Sequence, residues 1–144
     1  YKEEELGHLK IKTSHLWIKH SSSKIDCSQL GYPANRGPGK GNWSGIGSGY
    51  GTKGEGNDGK SGEMYGEETF GGGIIELIIE QQLINHGLIQ SNGGNGYDGG
   101  GSGGSILIEL QCQSQSQSNK LEQTFGTITC IGGDARYRGG DGRI

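Results

Sequence analysis

The sequence predicts an all-β chain folded as a parallel β-helix, or β-solenoid, with irregular glycine-rich loops. Two observations on composition lead to this prediction: glycine supplies 32 of the 144 residues, about three times its average usage, and only 28% of the residues are apolar. A third is that the apolar residues are concentrated in short, recurring runs rich in isoleucine. So few apolar residues indicate either disorder or a narrow core, and the dense runs favour the narrow core.

The first element of each repeated unit is a strand that follows a group of glycines. It reads GGGIIELIIEQQL at residues 71–83 and GGSILIELQCQ at residues 103–113, with a weaker copy, HLKIKTSHLWI, at residues 8–18. Alternation of apolar and polar residues is the period of a strand with one buried face. Aligning the two clear copies predicts three stacked apolar pairs, which are Ile75 with Ile106, Leu77 with Ile108, and Ile79 with Leu110.

The second element is a shorter strand that ends in small residues. Its copies read SKIDCSQLG at residues 23–31, GLIQSNGG at residues 87–94 and GTITCIGG at residues 126–133. Their alignment predicts an apolar core column of Ile25, Ile89 and Ile128, followed two positions later by a column of small residues, Cys27, Ser91 and Cys130. Since Cys27 and Cys130 would lie two coils apart, too far for a disulfide, we expect free buried thiols.

Glycine-rich excursions follow the paired strands, at residues 37–62, 93–104 and 132–142. Glycine supplies corners with positive φ and lets backbones approach closely. A competing interpretation is that these runs form extended, polyproline-II-type strands packed side by side. We expect residues 1–144 to form a single glycine-rich solenoid segment, weak as a first coil over residues 1–70 and clearer over residues 71–144, within a longer chain or an assembly.

One sequence motif is carried by residues 103–106, 126–133 and 140–144. It consists of a glycine pair, an alternating strand, a second glycine pair and a further glycine run. This motif resembles the glycine-rich parallel β-helix repeats of large cell-surface proteins in protists and some bacteria. It covers residues 71–144 well and residues 1–70 poorly. The resemblance implies a secreted or surface-exposed protein with a structural or adhesive role.

Charge and hydropathy argue against two classes of partner. The formal net charge is −3 with both signs interspersed, and no basic stripe predicts a nucleic-acid surface. No apolar run approaches the length of about 18 residues that a membrane-spanning helix needs. Three cysteines, an odd number, do not form a complete set of disulfide pairs.

Two strings imitate ligand-binding loops. GEGNDGKS at residues 54–61 matches the phosphate-binding loop, but neither a strand before it nor a helix after it is predicted. GGNGYD at residues 93–98 matches the start of a calcium-binding nonapeptide, but no tandem copy follows. We therefore predict no catalytic residue, no cofactor and no metal site.

The functional prediction is a structural protein of an extracellular or cell-surface assembly, and its finer form is a filament subunit built by stacking β-coils. Its partners would be other copies or neighbouring coils of the same assembly. The alternative is an adhesin whose aromatic, glycine-rich loops bind glycans, with Tyr97 and Tyr137 as candidate contacts. Asn42 begins the only N-x-S/T sequon and is a candidate glycosylation site. A polysaccharide lyase needs clustered aspartates beside a basic residue, and only residues 134–141 come near that.

Overall fold

The computed structural model describes residues 7–32, 70–111 and 121–144. These ranges contain β-strands and no helix, as their alternating and β-branched runs predict. The strands are β1 (His8–Ile18), β2 (Lys24–Asp26), β3 (Ile74–Asn85), β4 (Leu88–Gln90), β5 (Ser105–Leu110) and β6 (Thr127–Thr129).

The six strands form two parallel three-stranded sheets. The first sheet has the order β1-β3-β5 and the second the order β2-β4-β6, so each sheet takes every other strand of the chain. The repeat alignment and the register of the first sheet agree, because Ile75 lies opposite Ile106 and Leu77 opposite Ile108. The pairing of β1 with β3 is interrupted by a register shift between Thr13 and His15.

The core lies between the inward faces of the two sheets. Alternate residues of β3 are fully buried from Ile75 to Ile79 and again at Leu83 and Asn85, as expected for a strand with one face on the core, and the exposed Gln81 interrupts the series. Nine buried apolar residues form one cluster, which contains Ile18, Cys27, Ile75, Leu77, Ile79, Leu83, Ile89, Ile106 and Cys130.

The prediction of a parallel β-helix is wrong. The described strands make two separate small sheets, and no continuous solenoid links them. The glycine segments between β4 and β5, and after β6, contribute only isolated bridges, Gly99 with Tyr137 and Ser105 with Arg143. Glycine has low strand propensity because it has no side chain to pack against its neighbours, so these segments do not extend the sheets.

The glycine segments instead pack side by side. The Gly133 amide donates to the Gly101 carbonyl at 2.7 Å, and the Gly103 amide donates to the Gly140 carbonyl at 2.9 Å. Among the described glycines only Gly126, with φ 59°, has the left-handed conformation. Close approach, and not the corners of a coil, is therefore the main reason for glycine here.

Gly104 shows how close this approach is. A Cβ atom placed on it would overlap the carbonyl oxygen of Gly73 and the hydroxyl of Ser91. The Gly104 amide also donates to the Ser91 carbonyl at 2.7 Å. The packed glycine segments, residues 93–104 and 132–142, which we call the glycine layer, are thus joined directly to the small-residue column of the second sheet.

Candidate assembly interface

Each sheet of the described chain ends in an edge strand on both sides. β1 and β2 lie at one side of the molecule, which we call the first edge, and β5 and β6 lie at the other, which we call the second edge. Edge strands present a row of N–H and C=O groups that can pair with another chain. Within the described ranges, the pairing found on the outer side of β5 is the single bridge from Ser105 to Arg143.

Backbone direction along β5 shows which groups face outward. The Ser105 amide donates inward, to the chain that leads into β3, and the Ile106 amide donates outward to the carbonyl of Arg143 at 2.8 Å. Successive amides of a strand point to opposite sides. The amides of Ile108 and Leu110 are therefore directed toward the outer side of the second edge.

In the predicted core columns of Leu77 and Ile89, burial falls from the centre of each sheet to its edges, whereas Ile106, at the outer end of the Ile75 column, stays buried. Leu77 and Ile89, on the central strands β3 and β4, are fully buried. Their in-register neighbours on the outer strands are only partly buried, and the partly buried set packed on the core is Leu9, Ile11, Leu16, Ile25, Ile108, Leu110 and Ile128. The apolar core is therefore partly open at both edges, where another strand would cover it.

Charged side chains on the outward face of the first sheet differ between the two edges. Lys10 and Lys12 project from β1, whereas Glu109 projects from β5. Within the chain, Lys10 lies opposite Glu76 on β3. His8 Nε2 also lies 2.6 Å from a Glu76 carboxylate oxygen. Such exposed pairs contribute little to the free energy of folding. Charges directly opposite each other do, however, favour or disfavour a particular neighbouring strand.

Sequence reasoning missed this difference in charge. Its signal was the Lys-x-Lys pattern of β1, set against the glutamates at the outward positions of β3 and β5. Only the sheet order shows that the basic strand and the strand with Glu109 lie at opposite edges.

The small-residue column runs across the second sheet just beyond the assigned strands. The Cys27 amide donates to the Gln90 carbonyl and the Ser91 amide donates to the Thr129 carbonyl, both at 2.9 Å. These bonds extend the parallel ladder by one residue, so Ser91 lies between Cys27 and Cys130. Both thiols are free and buried.

The two thiols have raised pKa values. Burial raises the pKa of the Cys27 thiol, and the neighbouring Asp26 carboxylate adds to the increase. Burial also raises the pKa of the Cys130 thiol, to about 11, with a further contribution from Asp141. Because the thiolate is the reactive form, both cysteines are poor nucleophiles at neutral pH and act as small core residues.

Asp26 is surrounded by a group of polar side chains on the outward side of the second sheet. Its carboxylate accepts hydrogen bonds from Gln90 Nε2 at 2.7 Å and from the Ser28 amide at 2.8 Å, and Lys24 Nζ lies 3.4 Å away. Partial burial by itself raises the pKa of Asp26, but these hydrogen bonds outweigh it, and the pKa lies below its ordinary value. The ionised carboxylate thus links β2 to β4.

Asn85 is a structural residue whose role was not predicted from the sequence. It is fully buried, its Nδ2 donates to the Phe125 carbonyl at 2.7 Å, and its Oδ1 accepts from the Gly87 amide at 2.9 Å. The signal was an asparagine two residues before a turn glycine at the end of an apolar run, a position typical of an Asx turn. Asn85 therefore holds the corner between β3 and β4 against the chain before β6.

The candidate glycan contacts lie on neighbouring backbone segments. The Arg136 amide donates to the Tyr97 carbonyl at 3.0 Å, next to the bridge that Tyr137 makes. Tyr97 is 84% exposed, and the Arg136 guanidinium lies 5.6 Å from the ring centroid of Tyr137.

Several predictions fall on other parts of the chain. Asn42, the glycine-rich excursion at residues 37–62 and the phosphate-loop string at residues 54–61 lie outside the described residues. In the part that is described, no group of three or more His, Cys, Asp and Glu side chains is arranged to hold a metal ion. No helix there is long and apolar enough to cross a membrane.

Comparison of the chain with protein-family models, curated proteins and solved structures finds no match.

Proposed function

We propose that this chain is a structural protein of an extracellular or cell-surface assembly, in which copies associate through the open edges of their parallel sheets. The observation that carries the proposal is the fall in burial from the central strands to the edge strands in the apolar columns of Leu77 and Ile89. Leu77 is fully buried, whereas its neighbours Ile11 and Ile108 are only partly covered.

Association at these edges would have two sources of free energy. Burying the remaining apolar surface of the edge columns contributes roughly 25 cal/mol per Å². The outward amides of Ile108 and Leu110 would also gain carbonyl partners, each worth about 1 kcal/mol net. The extracellular location is supported by the resemblance of the Gly-Gly-x-Ile units to repeats of surface proteins.

The test is the mass of the chain in solution. Sedimentation velocity across a wide concentration range is expected to show a weight-average mass that rises above the 15.2 kDa of one chain. Negative-stain images of the concentrated sample are expected to show ordered assemblies. A sample that stays at the mass of one chain up to its solubility limit would refute the proposal.

A matched pair of variants tests whether the edge is responsible. Ile108→Lys places an inward-pointing charge on the half-buried side of β5, a device by which natural edge strands avoid pairing. Leu107→Glu places a charge on the outward side of the same strand, where the leucine is already 51% exposed and a carboxylate repels none of the lysines of β1. Only Ile108→Lys is expected to abolish association. If it fails to fold by circular dichroism, Ile11→Lys on β1 provides the same test at the other edge.

A further inference from the structure

We infer that the copies join head to tail, with β1 of one copy pairing in parallel with β5 of the next. This inference rests on the proposed function. The partner is a second copy of the chain, bound in one orientation and one register. The two edges are different surfaces, so a joint between them is heterologous and generates an open-ended filament.

A joint of β1 with β5 continues the register of the first sheet. Within the chain, Ile11 lies opposite Leu77, and Leu77 lies opposite Ile108. Repeating that step places Ile11 of an incoming copy opposite Ile108, which continues the apolar column. All four described strand pairs are parallel, and a parallel joint keeps the inward residues of both copies on the core side.

Charges on the two edge strands are complementary in this register. The same step places Lys12 of the incoming copy opposite Glu109, because Lys12 lies opposite Ile78 and Ile78 opposite Glu109. Opposite charges directly across a strand pair are favourable, and like charges are unfavourable. A two-fold joint of β1 with β1 would instead bring Lys10 and Lys12 near their own copies, and is disfavoured for that reason.

The small-residue column of the second sheet also continues across this joint. In the same step, Cys27 of the incoming copy becomes the next neighbour of Cys130, at the strand spacing of about 4.8 Å. Within one chain the two cysteines are separated by Ser91, so their Cα atoms lie roughly 9 to 10 Å apart, outside the range of a disulfide. A disulfide between Cys27 and Cys130 would therefore report the joint between copies.

A short segment of the chain already occupies the start of the second edge. The backbone amide of Arg143 donates to the Gly104 carbonyl at 3.0 Å, and the backbone carbonyl of Arg143 accepts from the Ile106 amide at 2.8 Å. Residues 142–144 thereby take the place that residues 7–9 of an incoming copy would fill. The joint requires these residues to be displaced, and their backbone hydrogen bonds are then remade by the incoming strand.

Charge reversal tests the register. We define the half-assembly concentration as the concentration at which half of the chains are assembled by sedimentation velocity. Lys12→Glu and Glu109→Lys are each expected to raise it about two- to fivefold, and the double variant is expected to restore it. Gly142→Ala, whose added methyl group would overlap the Gly104 carbonyl and loosen residues 142–144 from β5, is expected to lower it. Assembly without rescue in the double variant would overturn the inferred register.

Cross-linking tests the orientation independently. Chains carrying Cys112→Ser are prepared with and without nitrogen-isotope labelling, mixed, assembled and oxidised by air with copper–phenanthroline. Mass spectrometry is expected to find Cys27 of one copy linked to Cys130 of another. Because burial slows oxidation of Cys27 and Cys130, the exposed pair Lys12→Cys and Glu109→Cys, which the same register places opposite each other, is oxidised in a parallel sample. Links of Cys27 to Cys27 or of Cys130 to Cys130, or assembly in which neither pair links, would overturn the head-to-tail joint and leave the proposed function standing. A chain that does not assemble would instead refute the proposed function.

Discussion

Replacing Leu77 with alanine is expected to lower the free energy of unfolding by about 3 to 4 kcal/mol. Leu77 is fully buried in the middle strand of the first sheet, between Ile11 and Ile108. The substitution removes three carbon atoms, worth about 0.8 kcal/mol each in transfer free energy, or about 2.4 kcal/mol together. The cavity left between two neighbouring strands adds the rest, within the range of about 2 to 5 kcal/mol typical of buried Leu→Ala changes.

The matched control is Leu107→Ala. Leu107 lies on the adjacent strand with its side chain on the outward face, 51% exposed. About half of the transfer term applies and no closed cavity forms, so the expected loss is about 1 kcal/mol. Leu110→Ala, which is inward-facing but only partly buried on the edge strand, is expected to fall between the two.

The assay is urea denaturation followed by far-ultraviolet circular dichroism, at a concentration where the chain is a monomer. The slope of free energy against urea should be the same in all variants, since a changed slope would indicate a different denatured or native state. Equal losses for Leu77→Ala and Leu107→Ala, or a larger loss for Leu107→Ala, would show that the assignment of inward and outward faces is wrong.

Two further predictions concern the glycine layer and the buried thiols. Gly104→Ala is expected to lower the free energy of unfolding by about 1 to 3 kcal/mol in the same urea assay, because the added methyl group overlaps the Gly73 carbonyl and the Ser91 hydroxyl. The control, Ser105→Ala, should lower it less. An unchanged urea midpoint for Gly104→Ala would contradict the close packing. The folded-state pKa of Cys130 is about 11 against a reference of 9.0, so the folded state favours the protonated thiol and its contribution is fully present below pH 9. That contribution, about 2 to 3 kcal/mol, should be lost as the pH rises from about 9 to about 11, which urea titrations at several pH values can measure against Cys130→Ala as the control. If wild type and Cys130→Ala lose stability equally over that interval, the raised pKa is wrong.

The sequence by itself determined the strands and their inward faces. Period-two alternation is a local property, and the recurrence of similar runs aligns Ile75 with Ile106 and Ile89 with Ile128 without any knowledge of the fold. The small column of Cys27, Ser91 and Cys130 follows from the same alignment. These features are readable because each depends only on neighbouring residues and on repetition.

Only the tertiary structure decided how the repeats are joined. Glycine carries no side chain, so its runs have no periodicity that could distinguish the corners of a solenoid from segments packed side by side. The choice depends on contacts between backbones far apart in the chain, such as Gly104 against Gly73 and Ser91. In the same way, Lys12 and Glu109 acquire opposite edges only through the strand order, because long-range pairing is not encoded in any local pattern.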